Sequence, residues 1–96
     1  MAYGYVIAQI TVTDPAAYRD YVAAVTPLVE RHGGEYLVRG GRAETVEGTA
    51  PGERVVVIRF PSLAAAREWY FSDAYAEVKK LRQVASTSVQ TLVEGV

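Results

Sequence analysis

The chain contains no cysteine and no asparagine, and it has only one histidine and one tryptophan. Without cysteine there can be no disulfide bond, no thiolate metal ligand and no cysteine nucleophile. A single histidine also argues against most transition-metal sites, which usually need several His or Cys ligands. The glycines form no G-x-G-x-x-G pattern for a dinucleotide. The sequence therefore predicts a protein with no metal site, no haem and no nucleotide cofactor.

An excess of charge of one sign is also lacking. Ten basic residues and eleven acidic residues give a formal net charge of −1, and there is no block of Lys or Arg. The nearest approach to such a block is Lys79-Lys80 with Arg82, which we expect to be a solvated face of a helix. Because binding to a phosphate backbone depends on clustered positive charge, we expect no nucleic-acid partner.

Long hydrophobic runs are absent as well. No apolar stretch approaches the roughly 20 residues needed to span a bilayer, and no basic segment leads into an apolar run at the N-terminus. We therefore expect no membrane partner and a cytoplasmic location. A single domain over residues 1–96 is expected, and because a chain of this size buries only roughly 60 to 70% of its unfolded surface, dimerisation would add useful burial.

The apolar residues that are present make up 50% of the sequence, and their spacing predicts strands alternating with helices. Residues Tyr3 to Val12 alternate with two semi-apolar faces, as a strand requires. Asp14-Pro15 is typical of a helix start, and Gly33-Gly34 is typical of a left-handed helix stop. The next expected elements are a strand from Glu35 to Arg39, a short extended piece from Ala43 to Glu47, and a strand from Arg54 to Phe60.

The second half of the chain predicts a broken helix followed by a strand. Ser62 is expected to cap the first piece, and the helix is expected to break near Phe71-Ser72-Asp73. Asp73 would then cap a second piece. The apolar positions expected along that piece are Tyr75, Val78, Leu81 and Val84, and the last strand is expected from about Ser86 to Glu94.

The order of these elements resembles a split βαβ arrangement, in which an antiparallel sheet carries two helices on one face. Val55, Val56, Val57 and Ile58 are consecutive branched residues, which indicates that both faces of their strand are covered. If the helices cover one face, the other is left apolar and uncovered, which usually marks an interface between two copies, the alternative being a monomer with an apolar sheet face. The sequence therefore predicts a ferredoxin-like α+β fold that forms a homodimer through the sheet face.

Arg39 is the first candidate for a functional residue, because it follows Tyr36, Leu37 and Val38 in a strand and precedes two glycines. Its planar guanidinium group could clamp a substrate carboxylate or enolate. The alternative is an ion pair with Glu35, Glu44 or another carboxylate. Arg59 interrupts its strand in the same way, and both arginines could instead meet carboxylates across the dimer interface.

His32 is the second catalytic candidate, since its ordinary pKa of about 6.5 suits proton transfer near neutral pH. A histidine in the last turn of a helix can also simply cap free carbonyls. Four aromatic residues are candidates for substrate binding, as walls of a pocket for a flat molecule. They are Tyr18, Tyr36, Trp69 and Tyr75, of which Trp69 could equally be a core residue.

Several pieces of sequence together resemble a known family over essentially the whole chain. They are Asp14-Pro15 with Tyr18 and Tyr21, His32-Gly33-Gly34-x-Tyr36-Leu37-Val38-Arg39-Gly40-Gly41, Phe60-Pro61-Ser62 with Ala66, Trp69 and Tyr70, Ser72-x-x-Tyr75, and Val93-Glu94-Gly95. Through these pieces of sequence the chain resembles a bacterial family of unknown function, the one numbered thirteen-thirty. The resemblance implies membership of the dimeric α+β barrel superfamily, whose ferredoxin-like subunits pair through their sheets.

That superfamily includes cofactor-independent quinol monooxygenases, haem-degrading enzymes, lactone isomerases and polyketide cyclases, and the family itself has no settled activity. Haem-degrading relatives use an asparagine, which this chain lacks. Quinol monooxygenase relatives use Trp, Tyr, Arg and Asn, of which Trp69, Tyr75 and Arg82 could supply three. We therefore expect a small-molecule-binding dimer, either a cofactor-independent enzyme acting on a small organic or aromatic acid by proton transfer or isomerisation, a cofactor-free monooxygenase, or a non-catalytic dimer.

Overall fold

The computed structural model describes residues 2–96, which form four β-strands and three α-helices. In chain order these are β1 (Gly4–Val12), α1 (Pro15–Arg31), β2 (Glu35–Arg39), β3 (Arg54–Phe60), α2 (Leu63–Tyr70), α3 (Asp73–Ala85) and β4 (Ser86–Glu94). The strands form one antiparallel sheet in the order β2-β3-β1-β4. This is the ferredoxin-like α+β arrangement that the sequence predicts.

The helix starts follow from hydrogen bonds between side chains and free backbone N–H groups. Asp14 caps α1 by accepting a hydrogen bond from the N–H of Ala17 at 3.2 Å, and Ser62 caps α2 by accepting one from the N–H of Ala65 at 3.1 Å. The expected cap of α3 was wrong by one residue. Its cap is Ser72, and Asp73 instead lies in the first turn, where a carboxylate meets the positive end of the helix dipole.

The inner face of the sheet is the face that the helices cover. It consists of Val6, Ala8 and Ile10 of β1 and Val56, Ile58 and Phe60 of β3, all of them buried. Against it pack buried residues of α1, namely Tyr18, Tyr21, Val25, Leu28 and Val29, and buried residues of α2 and α3, namely Ala66, Trp69, Tyr75 and Ala85. This layer is the hydrophobic core.

The outer face of the sheet carries no helix. We define it by Tyr5, Ile7, Val38, Val57, Arg59, Val89 and Val93, which are half-buried or exposed. Val57 lies near its centre, because it pairs with Ile7 on one side and with Val38 on the other. Loop residues 43–53 approach this face only at its end, near Gln9 and Val55. Within residues 2–96, an apolar sheet surface is therefore left without a covering layer.

Two further sequence-based expectations are wrong, one about secondary structure and one about which residues of α3 are buried. The segment Ala43–Glu47 forms no strand, because Gly40 turns the chain with a positive φ of 67° and β2 has ended at Arg39. On α3, Leu81 and Val84 are not core residues, since they are 38% and 74% exposed.

The residue that takes their place is Arg82. It is only 5% exposed, so the expectation that it belongs to a solvated basic face with Lys79 and Lys80 is also wrong. The buried side of α3 follows Tyr75, Arg82 and Ala85, with Val78 packed beside them. None of the helices that residues 2–96 form combines the length and apolar character needed to cross a membrane.

Candidate functional site

A cavity lies between the inner face of the sheet and the helices. Its apolar lining consists of Val6, Ala8, Ile10, Val22, Val25, Val56 and Ile58, its aromatic lining of Tyr18, Tyr21, Tyr36 and Trp69, and its polar lining of Arg39, Arg54, Arg82 and Gln90. The cavity volume is about 30 Å³, which is room for one or two water molecules. The site is thus formed but closed around a small space.

Charge is distributed unevenly in this lining, since it has three arginines and no Asp or Glu. Within residues 2–96 the arginine that forms a salt bridge is Arg59, which lies on the outer face and bonds Glu35 at 2.7 Å. Arg39, Arg54 and Arg82 have no carboxylate within salt-bridge distance in the same described part of the chain. The cavity is therefore a place of uncompensated positive charge.

Arg82 is the deepest of the three. Its Nη1 donates a hydrogen bond to Ser88 Oγ at 2.6 Å, and Gln90 Nε2 donates to the same oxygen at 3.1 Å. Its Nε is buried without a hydrogen-bond partner among residues 2–96. Burial lowers the pKa of Arg82, but Tyr75 and Tyr21 attract its charge once they ionise, far above neutral pH, so that the pKa is raised overall. Arg82 therefore keeps its charge.

Arg54 and Arg39 lie at the other side of the cavity. The guanidinium carbon of Arg54 is 5.3 Å from the ring centre of Tyr18, and its Nε is buried and unpartnered among residues 2–96. The guanidinium carbon of Arg39 is 4.1 Å from the ring centre of Tyr36, and Arg39 is exposed to solvent. Cation–π contacts of this kind position a guanidinium group but do not neutralise it.

Gly40 explains how Arg54 reaches this position. The backbone of Gly40 donates a hydrogen bond to the carbonyl of Val55 at 2.9 Å, which brings the turn after β2 against β3. A Cβ atom on Gly40 would collide with the Arg54 guanidinium group, and the positive φ would strain any other residue. The following Gly41 has no such neighbour. Gly40 therefore leaves the space that Arg54 occupies.

Two buried tyrosines form the wall next to Arg82. The hydroxyl oxygens of Tyr21 and Tyr75 are 2.8 Å apart and share a hydrogen bond. Burial, and next the adjacent Tyr75, raise the pKa of Tyr21, and burial raises the pKa of Tyr75 although Tyr21 and Arg82 lower it in part. Both phenols therefore stay protonated at neutral pH, and neither supplies a negative charge to offset Arg82.

Trp69 has two environments. It is 1% exposed and stacks on Phe60 with ring centres 5.5 Å apart, as a core residue does. Its indole also lines the cavity, and its Nε1 is buried with no hydrogen-bond partner among residues 2–96. Since a buried indole N–H usually finds an acceptor, this donor is available to a bound molecule or water.

The structure brings four of the six predicted site residues to the cavity, namely Tyr18, Tyr36, Arg39 and Trp69. Tyr75 lies behind Tyr21, which it contacts through the shared hydrogen bond. His32 lies at the end of α1, where its Nδ1 is 2.8 Å from the carbonyl oxygen of Leu28, and it is not part of the cavity lining. A helix-end contact is its observed role, and the catalytic role of His32 stays a prediction.

The sequence-based analysis missed Arg54 and Gln90 as lining residues and assigned Arg82 to the wrong side of its helix. The sequence did contain one signal that Arg82 lies on the buried side of α3. Arg82 is spaced seven residues from Tyr75 and three from Ala85, which places all three on one side of a helix. Arg39 and Arg59, which the sequence could not separate, lie on opposite faces, because Arg39 pairs with Val56 and Arg59 with Tyr5.

Metal binding finds no support in the side-chain arrangement. In the part of the chain that the structure describes, no three residues among His, Cys, Asp and Glu come together in a way that could hold an ion. The donors around the cavity are guanidinium, amide, indole and phenol groups, which suit an anion or a polarised oxygen rather than a cation.

Solved structures with the same fold include proteins of different description. A protein of unknown function from Rhodopseudomonas palustris is 21% identical, with a TM-score of 0.80 over 99% of this chain and 83% of that one. SnoaB, a cofactor-independent oxygenase from Streptomyces nogalater, is 15% identical, with a TM-score of 0.63 over 97% and 92%. A proposed antibiotic biosynthesis monooxygenase from Caulobacter crescentus is 18% identical, with a TM-score of 0.61 over 99% and 91%. At these identities the similarity shows the fold.

A family model decides the relationship at the level of sequence. Among curated proteins none matches the chain. The model described as "Domain of unknown function (DUF1330)" matches residues 3–96, which is nearly the whole chain. The protein therefore belongs to the DUF1330 family, as its sequence resemblance predicted.

Proposed function

We propose that this protein binds a small organic acid in the cavity between the sheet and the helices. The observation that carries the proposal is the convergence of Arg39, Arg54 and Arg82 on a cavity that has no acidic residue in its lining. A buried charge without a counter-charge is costly, and an anion supplied by a ligand removes that cost. The planar guanidinium group also suits two-point hydrogen bonding to a carboxylate.

The rest of the lining supports an aromatic or otherwise flat acid. Tyr18, Tyr36 and Trp69 offer ring faces, and the floor of the cavity is made of branched and small apolar side chains. The volume of about 30 Å³ is too small for such a molecule, so side chains have to move when it enters. Arg39 and Tyr36 are the ones that can do so, because they lie at the mouth and keep contact with solvent.

If the protein is an enzyme, the same residues suit proton transfer or isomerisation without a cofactor. An arginine would stabilise the oxyanion that forms when a proton leaves the carbon next to a carbonyl group. A tyrosine of the cavity, or His32 after a rearrangement at the end of α1, would move the proton. The buried Tyr21 and Tyr75 pair suits hydrogen bonding to an oxyanion more than proton transfer, because raised pKa values keep both groups protonated.

A second candidate is oxygenation without a cofactor. It is favoured by the position of Trp69, whose indole N–H meets the cavity and has no partner within residues 2–96, and by the fold shared with a cofactor-independent oxygenase. The shared fold is an analogy, since one fold hosts unrelated activities. Oxygen uptake with small quinols, measured with an oxygen electrode, distinguishes this candidate from proton transfer, which consumes no oxygen.

We also propose that the protein is a homodimer whose subunits pair through the outer faces. The support is an exposed apolar sheet surface that includes Val89 at 47% and Val93 at 40% exposure. Exposed surfaces of this kind usually mark interfaces. Light scattering at tens of micromolar protein tests the proposal, and a strictly monomeric species would refute it.

The binding proposal is tested by thermal-shift measurements with a panel of aromatic and keto acids. We expect at least one acid to raise the melting temperature of the wild type, and Arg39→Ala and Arg54→Ala to reduce that shift. Arg19→Ala is the matched control, because Arg19 is exposed on α1 and is not part of the cavity lining. The proposal fails if no acid shifts the wild type, or if both cavity variants respond as Arg19→Ala does.

The prediction that the protein needs no metal or chromophore is tested separately. Elemental analysis and an absorption spectrum of the freshly purified protein are sufficient. Stoichiometric metal or a visible absorption band would contradict it.

A further inference from the structure

The positive charge around the cavity is divided between two places. Ile10 of the inner face separates them, because it pairs with Arg54 on one side and with Ser88 on the other. Since neighbouring strands are about 4.8 Å apart, the Cα atoms of Arg54 and Ser88 are roughly 10 Å from each other. Arg82 is bonded to Ser88, so its guanidinium group belongs to the far side of Ile10 from Arg54.

The first place, which we call the β4 subsite, is formed by Arg82, Ser88 and Gln90. Ser88 Oγ already accepts hydrogen bonds from both other residues, and the buried Nε of Arg82 has no acceptor among residues 2–96. The neighbouring Tyr21 and Tyr75 are neutral, since their pKa values are raised. The β4 subsite is thus rich in donors and contains no negative charge.

The second place, the β2 subsite, is formed by Arg54 and Arg39. The register puts Arg39 opposite Val56 and Arg54 opposite Ile10, so the two arginines come from neighbouring rows of adjacent strands. The buried Nε of Arg54 also has no partner in the described residues. Its guanidinium group is fixed between the Gly40 turn and the ring of Tyr18. This subsite is nearer to solvent than the β4 subsite, because Arg39 is exposed.

The space between the two subsites is apolar. Ala8, Ile10 and Val56 form its floor, while Tyr18 and Tyr21 lie on the helix side. Ile10 lies between the two subsites in the strand register, so we expect an acidic group bonded to Arg82 beside Ser88 to lie one strand away from Arg54. A ligand with one carboxylate would therefore leave the guanidinium groups of one subsite without a counter-charge, and the cost is largest where the unpaired group is the buried Arg82.

We infer that the ligand of this site is a small organic dianion that carries an acidic group at each of two opposite ends of an apolar or aromatic middle, one end bound by Arg82 and the other by Arg54 with Arg39. This inference rests on the proposed binding of an organic acid and specifies its class. Arg82 and Arg54 then determine specificity, because each recognises one end.

Isothermal titration calorimetry at constant ionic strength tests the inference with three probes. Benzene-1,4-dicarboxylate has an acidic group at each end, benzoate has one, and phenyl phosphate carries about two charges at a single end. Since a charge-assisted hydrogen bond adds roughly tenfold or more in affinity, we expect the dicarboxylate to bind the wild type at least about tenfold more tightly than either of the others.

The variants Arg82→Met and Arg54→Met are each expected to remove that advantage, so that dicarboxylate and benzoate bind with similar affinity. Arg19→Met, on the exposed side of α1, is the matched control and should keep the wild-type ratio. If Arg82→Met does not fold, the inference is still tested by the Arg54→Met variant, whose substituted residue is only half-buried, and by the affinities of the wild type for the dicarboxylate and for benzoate.

The outcomes separate this inference from the proposal beneath it. If benzoate or phenyl phosphate binds the wild type as tightly as the dicarboxylate, the two-ended ligand is refuted while binding of an organic acid stands. If none of the probes and none of the acids in the thermal-shift panel binds, both are refuted.

Discussion

The two faces of the sheet differ in what they lack. The outer face has its charge paired, since Arg59 bonds Glu35 at 2.7 Å and stacks near Tyr3, but its apolar residues have no covering layer. The inner face is covered by helices except at the mouth of the cavity, where Arg39 is exposed, and the arginines of the cavity have no carboxylate among residues 2–96. One face therefore lacks apolar contact and the other lacks negative charge.

This difference indicates which kind of partner each face can accept. An uncovered apolar surface gains free energy from burial against another protein surface, whatever the detailed contacts. A closed cavity of about 30 Å³ with uncompensated guanidinium groups gains mainly from a small anion. The same four strands thus support two interactions that depend on different physics, and each can be disrupted without the other.

The largest effect is expected from a charge at the centre of the outer face. In the proposed dimer, Val57→Lys would place one lysine from each subunit in the sheet-to-sheet interface, and an unpaired buried charge costs about 3 to 5 kcal/mol. We expect the dimer to dissociate into an unstable monomer, as measured by light scattering and thermal unfolding at fixed protein concentration.

Val84→Lys is the matched control for this change. Val84 is 74% exposed on α3, on the helix side of the molecule, so the same substitution there should leave the oligomeric state unchanged. A dimeric Val57→Lys protein, or a monomeric Val84→Lys protein, would show that the subunits do not pair through the outer face.

A second comparison concerns the two arginines Arg82 and Arg59. Replacing a buried ion pair by well-packed apolar side chains is often neutral or stabilises a protein by about 1 to 4 kcal/mol, and a buried charge without a partner has less attraction to lose. We expect Arg82→Met to raise the free energy of unfolding by about 1 kcal/mol without ligand, because Arg82 is 5% exposed and has no counter-charge. Ser88 keeps its hydrogen bond from Gln90 in this variant.

Arg59→Met is expected to act in the opposite direction. Its salt bridge with Glu35 joins side chains that are 32% and 63% exposed, so its loss should lower the free energy of unfolding by no more than about 1 kcal/mol. Urea unfolding of both variants at one protein concentration measures the two signs. If Arg82→Met is strongly destabilising, the charge of Arg82 is compensated within the chain and the argument for an anionic ligand loses its basis.

A third, smaller effect is expected at the turn after β2. Gly40→Ala should move the Arg54 guanidinium group and strain the backbone, since Gly40 has a positive φ. We expect a loss of about 1 kcal/mol in stability and weaker binding of any acid that stabilises the wild type. Gly41→Ala is the control, because a Cβ at Gly41 meets open space. Equal acid binding by the two variants would mean that Arg54 does not contact the ligand.

The sequence predicted the sheet well because its strands have strong local patterns. The bounds of β2, β3 and β4 agree with those expected, and four consecutive branched residues made β3 unmistakable. The cap of α3 was missed because Ser72 and Asp73 are both good capping residues, and only the backbone shows which one precedes the helix. The extended piece at residues 43–47 failed because no neighbouring strand pairs with it.

The site was harder to predict, and α3 shows why. Two sets of positions on that helix have helical spacing, one ending in Leu81 and Val84 and the other in Arg82 and Ala85. Apolar character favoured the first set, whereas the sheet and α1 select the second by where they contact the helix. Local sequence does not contain that information. The same holds for Arg54, which is the first residue of a strand and reaches the cavity only because Gly40 leaves space for it.

The smallest effect is expected from the tyrosines behind the cavity. Burial raises the pKa values of Tyr21, Tyr36 and Tyr75 above the ordinary value of 10.0. The unfolded chain loses phenol protons near pH 10, whereas the folded chain retains these three, so their contribution to stability is complete below about pH 10 and is lost as the pH rises above it. For each proton that the folded chain retains, the free energy of unfolding falls by about 1.4 kcal/mol per pH unit in this range.

We therefore expect the free energy of unfolding of Tyr21→Phe to fall less steeply with rising pH than that of the wild type. At neutral pH the variant should be less stable by about 1 kcal/mol, because Tyr75 is left without its hydrogen-bond partner. Urea unfolding between about pH 9 and 11.5 measures the slope. If Tyr21→Phe and the wild type have the same slope, Tyr21 titrates alike in the folded and unfolded chains, and the phenols beside Arg82 are open to solvent rather than closed behind the cavity.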